Sequence, residues 1–487
     1  MIAAFDATSV NPLYLTLGVP ALSTLVLFLL PGYRRAARCN VLASLVTLLA
    51  SLALLWSRPA PNDYLFVDDF NIYLVLITNF VCLTTSVFSV SYLTHELDIG
   101  RLRRPYARFY HAMFQGMVFA MNLALVSNSL GLMWVAVETA TLATVVIVGL
   151  YRTEAAIKAS WKYFILASMG ISLALFGTTL LYFTAQSVIG SGNAALAWTV
   201  LRERAAELDP AVLNITFVFV LVGYGTKAGL VPMHAWLPDA HSEGPTPISA
   251  VLSGLLLNLG LYALLRFKML MGANDQTLAP GPLMMGLGLA SLLFGALMLY
   301  GRRDIKRLFA YSSIEHMGLI TFAFGLGGPL ANLAGILHMV LHSLTKSALF
   351  FTIGHVAQVK GTQEIAGIRG LTTSHPVLGW CLVLGVIAIA GLPPTGLFMS
   401  EFLLVSTTFA REPLLAVPLV LGLLIALGCL IQRVQAMAFG EPTGSAEPFK
   451  ISVLPPLAAH LVLVIVAGLY IPAPLMAWFQ HVAALLG

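Results

Sequence analysis

Residues 225–247 read GTKAGLVPMHAWLPDAHSEGPTP and stand between two apolar runs, NITFVFVLVGY (214–224) and ISAVLSGLLL (248–257). Lys227 thus falls where an apolar helix would be crossing lipid. Gly229 and Pro232 interrupt the helix beside it, and two histidines and two acids follow before the hydrophobic pattern resumes. A broken helix at membrane depth is tolerated only inside protein or beside a water-filled cavity, because its freed backbone groups need partners. The stretch therefore predicts a buried polar path.

Composition agrees with a membrane setting. Of 487 residues, 59% are hydrophobic and 10% charged, with a mean hydropathy of +0.89, whereas soluble domains carry about 25% charged residues. The apolar runs reach the roughly 20 residues that a spanning helix needs, and the alternation of an outer-membrane barrel is missing. The start of the chain has an acid, Asp6, and no basic residue before Tyr14, so it does not read as a cleaved signal peptide. Fourteen segments are expected, near 10–30, 37–56, 68–93, 107–126, 129–151, 158–188, 211–242, 246–270, 279–300, 307–326, 328–358, 375–410, 413–439 and 451–480. The seventh and twelfth are too long for a plain span. The seventh contains the break at Gly229 and Pro232, and the twelfth contains GLPPTG at 391–396.

With both termini outside and loops alternating, the inner loops collect eighteen of the 26 Lys and Arg residues, among them Arg34, Arg101, Lys158, Lys162, Lys306 and Lys450. The outer side holds six: Arg58, Arg202, Arg204, Arg266, Lys268 and Arg411. Only Lys227 and Lys346 are placed within the membrane. This asymmetry fits the positive-inside rule and accounts for the net charge of +5 without nucleic acid. Arg302, Arg303, Lys306 and Arg307 read as inner-face anchors. Four scattered cysteines (Cys39, Cys82, Cys381 and Cys429) form no cluster or haem motif, so no cofactor is expected on this chain.

The buried titratable residues form a short set: Glu138 in LMWVAVETATLATVV, Lys227, Glu315 and His316 in AYSSIEHMGLITF, His338, His342 and Lys346 in GILHMVLHSLTKSALFF, and Glu401 in GLPPTGLFMSEF. Each is expensive in a membrane and so reads as functional, the alternative being ion pairs that lock helices together. Lysine suits proton handling because burial disfavours its charge while a nearby carboxylate favours it. Glu138 and Lys227 look like such a couple. His338, His342 and Lys346 recur every four residues and share a helix face, suited to passing protons. Zinc is a rival reading for the i, i+4 histidines, disfavoured because no third ligand is adjacent, so no metal is expected. His234, Asp239 and His241 read either as capping groups of the break or as a proton entrance.

Four motifs in order, TKAGLVPMHAWLPDAHSEGPTPISAVLSG, IKRLFAYSSIEHMG, HMVLHSLTKSALFF and GLPPTGLFMSEF, resemble the proton-conducting antiporter-like subunits of complex I, Mrp antiporters and membrane-bound nickel–iron hydrogenases. The resemblance covers roughly residues 60–440. SEGPTP and IEHMG look most like the component F group of hydrogenase-4 complexes.

This resemblance implies an all-α polytopic protein of about fourteen helices. Two inverted five-helix repeats, 107–270 and 279–439, would lie between N-terminal helices at 1–106 and a last helix at 451–487, with helices 7 and 12 broken. It implies a proton relay through Glu138, Lys227, His338, His342, Lys346 and Glu401. Partner subunits would carry iron–sulfur clusters and, in the hydrogenase form, a nickel–iron site. Many relatives have lysine where this chain has Asn258, which cannot carry the proton but can hold a water. Glu315, His316 and the loop histidines are further relay candidates. The function implied is proton translocation coupled to electron transfer in a redox complex of a bacterial or archaeal cytoplasmic membrane. The alternatives are an M-type NADH:quinone oxidoreductase subunit, an Mrp-type Na⁺/H⁺ antiporter subunit and a non-conducting structural subunit.

Overall fold

The computed structural model describes residues 11–443 and 454–487. Asp6 and Lys450 lie outside the described residues, as does the first part of the 451–480 segment. The described chain is helical. Its long elements are α1 (Pro12–Leu29), α2 (Tyr33–Ala53), α3 (Asp69–Asp98), α4 (Arg104–Val126), α5 (Leu130–Val148), α6 (Glu154–Ile189), α7a (Pro210–Lys227), α8 (Thr246–Met271), α9 (Gly281–Leu299), α10 (Ile305–Leu326), α11 (Gly328–Lys360), α12a (Pro376–Ile389), α12b (Gly396–Arg411), α13 (Pro413–Ala438), α14a (Leu454–Leu469) and α14b (Ala473–Leu485). A short helix, α7b (Leu237–Glu243), continues the seventh segment.

Among the described residues, eleven helices are long and apolar enough to cross a membrane, or twelve if α14a and α14b, bent by 83°, form one span. α10, with Glu315 and His316 in its middle, is not in that set, and the halves of α12 are short. The sixth helix begins at Glu154, so Lys158 and Lys162, expected in a loop, stand on its first turns.

Burial separates centre from rim. The most apolar windows of α8 and α11 are 100% and 94% buried, against 28% for α1 and 33% for α13. Large apolar side chains such as Leu22, Leu29, Leu414 and Val417 project outward, as a lipid-facing surface requires. Small residues let helices approach closely: a Cβ at Gly318 of α10 would stand 2.6 Å from the Gly288 carbonyl of α9. A single residue, Gly327 (φ +65°), joins α10 to α11.

Both broken segments end their first half in the same way. Asp209 caps α7a by accepting from Ala211 and Val212 N–H, and Pro210 opens its first turn. At the far end Gly229 is left-handed (φ +74°) and Leu230 N–H donates to the Gly225 carbonyl at 2.9 Å. In α12a, Gly391 is left-handed (φ +62°) and Leu392 N–H donates to the Ile387 carbonyl at 3.1 Å. Each is a glycine-terminated stop with a six-to-one hydrogen bond, followed by proline. Both breaks read from the sequence are helix stops in the structure.

Candidate functional site

The polar groups collect in three places along the centre. The first is the end of α7a. Lys227 Nζ lies 3.2 Å from Glu138 Oε2 of α5 and also donates to the Thr141 hydroxyl, one turn further along α5. Ser168 of α6 donates to Glu138 Oε1 at 3.0 Å. Lys227 is buried while the Glu138 side chain is 17% exposed, so the carboxylate is the open member of the couple. Gly260 of α8 makes room here: a Cβ there would stand 2.9 Å from Lys227 Cβ and 3.0 Å from the Tyr224 carbonyl. Trp236 Nε1 donates to the Thr226 carbonyl at 2.9 Å, which also accepts from Gly229 N–H at 3.2 Å, so the indole adds a second bond at the helix end.

The second group joins α8, α10 and α11. Residues Leu252–Leu256 of α8 form a π turn, a feature frequent at functional sites. Just after it, Asn258 Nδ2 donates to Ser343 Oγ (2.8 Å) and to the carbonyls of Met339 and Gly254 (both 3.2 Å). Its Oδ1 has no hydrogen-bond partner, and Asn258 lines a cavity of about 10 Å³ with Thr78, Met121, Leu125 and Leu255, near the lower limit for one water. Lys346 Nζ donates to the Phe309 carbonyl at 2.9 Å. That carbonyl also accepts from Ser313, whose hydroxyl meets Ser253 at 2.7 Å.

The third group lies beside the second break. His316 Nδ1 and His338 Nε2 are 2.9 Å apart, and His338 Nδ1 meets Ser400 Oγ at 3.0 Å. The His342 ring stands 5.3 Å from that of His316, with neither nitrogen hydrogen-bonded. Glu401 reaches back to the break, so that a Cβ at Gly391 would collide with its carboxylate. Glu401 and Glu315 line one cavity of about 120 Å³ between the break and α13. Among the described residues the i, i+4 pair His338 and His342 gains no common third ligand, but His338 alone joins a different group. Donor atoms of His316, His338 and Glu401 all lie within 4.8 Å of one another, because α10 and α12b bring together residues distant in sequence.

The loop candidates separate. Asp239 pairs with Lys162 (2.7 Å) and Arg307 (3.0 Å) at the end of the bundle, and His234 is half-buried against Phe294. His241 is buried, stacked on Phe350 of α11 at 4.8 Å, without a hydrogen-bond partner.

Three cations departed from expectation. Lys306 is buried and donates to the Gly244 carbonyl at 2.9 Å, tying α10 to the end of α7b; it is no surface anchor. Arg266 is buried in a bidentate pair with Asp68 (2.8 Å), among the rings of Phe66, Phe70, Trp198 and Tyr262. Lys268 is buried and donates to the Leu486 carbonyl at 3.1 Å.

Sequence reasoning missed a further buried acid, Glu96, which accepts from Gln358 at 2.8 Å and faces Arg101 at 3.6 Å. The signal was present, since α3 runs on to Asp98 beyond the segment end at residue 93. Thr141, Ser168, Ser343 and Ser400 were also missed, although three of them lie within three positions of a residue singled out above.

Residues 127–426 match the family described as "NADH:quinone oxidoreductase/Mrp antiporter, TM". The chain is 58% identical over 467 residues to a "Hydrogenase-4 component F homolog" of Methylacidiphilum infernorum (isolate V4), covering 96% of this chain and 98% of that protein. Its fold is similar to a chain in the archaeal membrane-bound sulfane sulfur reductase (TM-score 0.87, 22% identity, 98% of each chain covered). It is also similar to one in the Mrp complex of Dietzia sp. DQ12-45-1b (TM-score 0.83, 20% identity, 98% of this chain and 97% of the other).

Proposed function

This chain belongs to the NADH:quinone oxidoreductase/Mrp antiporter membrane family, and from that membership we propose that it is the proton-translocating subunit of an energy-converting redox complex of the hydrogenase-4 type. The 58% identity to a hydrogenase-4 component F homolog over nearly its whole length supports that form over the NADH:quinone oxidoreductase and Mrp forms. Electron carriers, iron–sulfur clusters and a nickel–iron site, belong to partner subunits. The chain spans the cytoplasmic membrane fourteen times with both termini outside: α10, the α12 pair and the α14 pair join the eleven plain spans. The matching glycine-terminated breaks at Gly229 and Gly391 support two inverted repeats, 107–270 and 279–439.

The observation that carries the reading is the Glu138–Lys227 couple at the first break, 3.2 Å apart, with the lysine sealed and the carboxylate open. A proton on Lys227 is held by Glu138 and Thr141, and moving Glu138 away removes the charge that stabilises it. The membrane field supplies about 2.3 kcal/mol per charge per 100 mV, comparable to the loss of such a partner. Onward transfer uses Lys346, Glu315 and the His316, His338 and His342 group toward Glu401, with Asn258 and Ser343 beside that path and His241, His234 and Asp239 on the inner side.

The test is Lys227→Ala in the complex purified with its partners and placed in oriented vesicles. Assembly should be kept, proton movement abolished and partner electron transfer lowered. Normal pumping by a correctly assembled variant refutes the reading.

A further inference from the structure

Two buried atoms beside the second break stand without hydrogen bonds although they face each other: His316 Nε2 and Glu315 Oε2, 3.9 Å apart. The other side of the same imidazole points at His338 Nε2, 2.9 Å away, with a Glu401 oxygen inside the same 4.8 Å cluster. A buried pair of unsatisfied polar groups calls for an explanation. Beyond a backbone contact of the His316 ring with Ile389, hydrogen bonding within the chain leaves both atoms unmatched.

We propose that His316, His338 and Glu401 form a binding site for a divalent transition metal of the zinc type, and that occupation plugs the proton path; the plugging, though not the binding, rests on the transport reading above. Two neutral imidazoles and one carboxylate are a three-ligand set of the kind that leaves a fourth position open. A cavity of about 120 Å³ lined by Glu401 and Glu315 adjoins the group. Metal–nitrogen bonds of about 2.0–2.1 Å in a tetrahedral site place two nitrogens about 3.3 Å apart, so the two rings need part by only a few tenths of an ångström.

The surroundings complete the site. With His316 Nδ1 on the metal, its ring proton moves to Nε2, where Glu315 Oε2 becomes its acceptor. The two orphaned atoms then make the carboxylate–histidine–metal arrangement that fixes ring orientation and raises ligand basicity. His338 Nδ1 is already held by Ser400 Oγ at 3.0 Å, so its Nε2, the present partner of His316 Nδ1, is the nitrogen that would turn to the metal. Glu401 and Glu315 together balance a divalent charge, as burial of an ion demands. His338 and Glu401 would then be fixed on one ion and unable to exchange protons.

The binding half is tested without transport, by titrating the purified complex with Co²⁺ and recording visible absorption. One cobalt per chain with the intense d–d bands of a four-coordinate N/O site, displaced by Zn²⁺, is expected. The bands should be lost in His316→Ala and His338→Ala and weakened at least tenfold in affinity by Glu401→Gln, which keeps the side-chain shape should an alanine variant fail to assemble. Lys227→Ala, outside the site, should retain them. Cobalt bands unchanged by all three site substitutions, or no four-coordinate cobalt at all, overturn the site. Binding present with proton movement unaffected by Zn²⁺ overturns only the plug.

Discussion

Replacing Asn258 discriminates between a relay that uses this residue and one that passes it by. Its Nδ2 has two hydrogens and faces three acceptors, the Ser343 hydroxyl and the carbonyls of Gly254 and Met339. In Asn258→Ala the Ser343 hydroxyl still lies 2.6 Å from the Gly254 carbonyl and 2.7 Å from that of Met339, so no carbonyl is stranded outright. Losing two net hydrogen bonds at about 1 kcal/mol each predicts a destabilisation of about 2 kcal/mol. Asn258→Asp is worse, because its ionised carboxylate has no donor to offer and faces two carbonyls. Only Ser343 can turn toward it, and the unpaired charge adds several kcal/mol unless the group takes up a proton. Thermal unfolding in detergent should rank wild type above Asn258→Ala above Asn258→Asp. In vesicles Asn258→Ala should keep most proton movement, while His338→Ala or His342→Ala loses more. Stability of Asn258→Ala equal to that of wild type would refute the hydrogen-bond assignment. Transport in Asn258→Ala as low as in Lys227→Ala would show that a water held by Asn258 is the bridge.

Glu401→Gln should block proton release to the outer side while leaving loading of Lys346 from the inner side intact, which pH-sensitive dyes on each face of oriented vesicles can resolve; unchanged outward release would leave the acid a structural role. Gly260→Ala forces a methyl group against Lys227 and the end of α7a, so a loss of about 1–3 kcal/mol in unfolding measurements is expected, with transport impaired. Arg266→Ala strands Asp68, whose side chain is 28% exposed; because water reaches it, the expected loss is about 3 kcal/mol, the low end for breaking a buried pair.

Local signals were legible in the sequence and long-range partnering was not. Gly229 with Pro232, and GLPPTG, announced both breaks because a left-handed glycine followed by proline ends a helix whatever surrounds it. Glu138 and Lys227 were legible because a charge within an apolar run has few cheap explanations. Arg266 and Lys268 looked like loop cations because each follows a leucine-rich run near its end, yet packing seals both. Lys306 sits in a basic cluster that reads as an inner anchor, and only the approach of α7b takes it out of water. The His316–His338–Glu401 grouping depends on three helices meeting, which no spacing along the chain expresses.

The one-residue connection at Gly327 bears on how the chain is made. Taken singly, α10 is a poor candidate for insertion, carrying Glu315 and His316, and α11, though apolar enough to span, carries His338, His342 and Lys346 in its middle. Intramembrane charge of this kind opposes partition by roughly 2.5–3.5 kcal/mol per group at a helix centre. Joined by one left-handed glycine, the two can leave the insertion machinery as a helical hairpin. His316 then meets His338, and Lys346 the Phe309 carbonyl, before either helix faces lipid alone. The same contacts that would later carry protons thus serve biogenesis first, and lengthening this connection should lower the yield of inserted protein even where the mature fold has room for the extra residues.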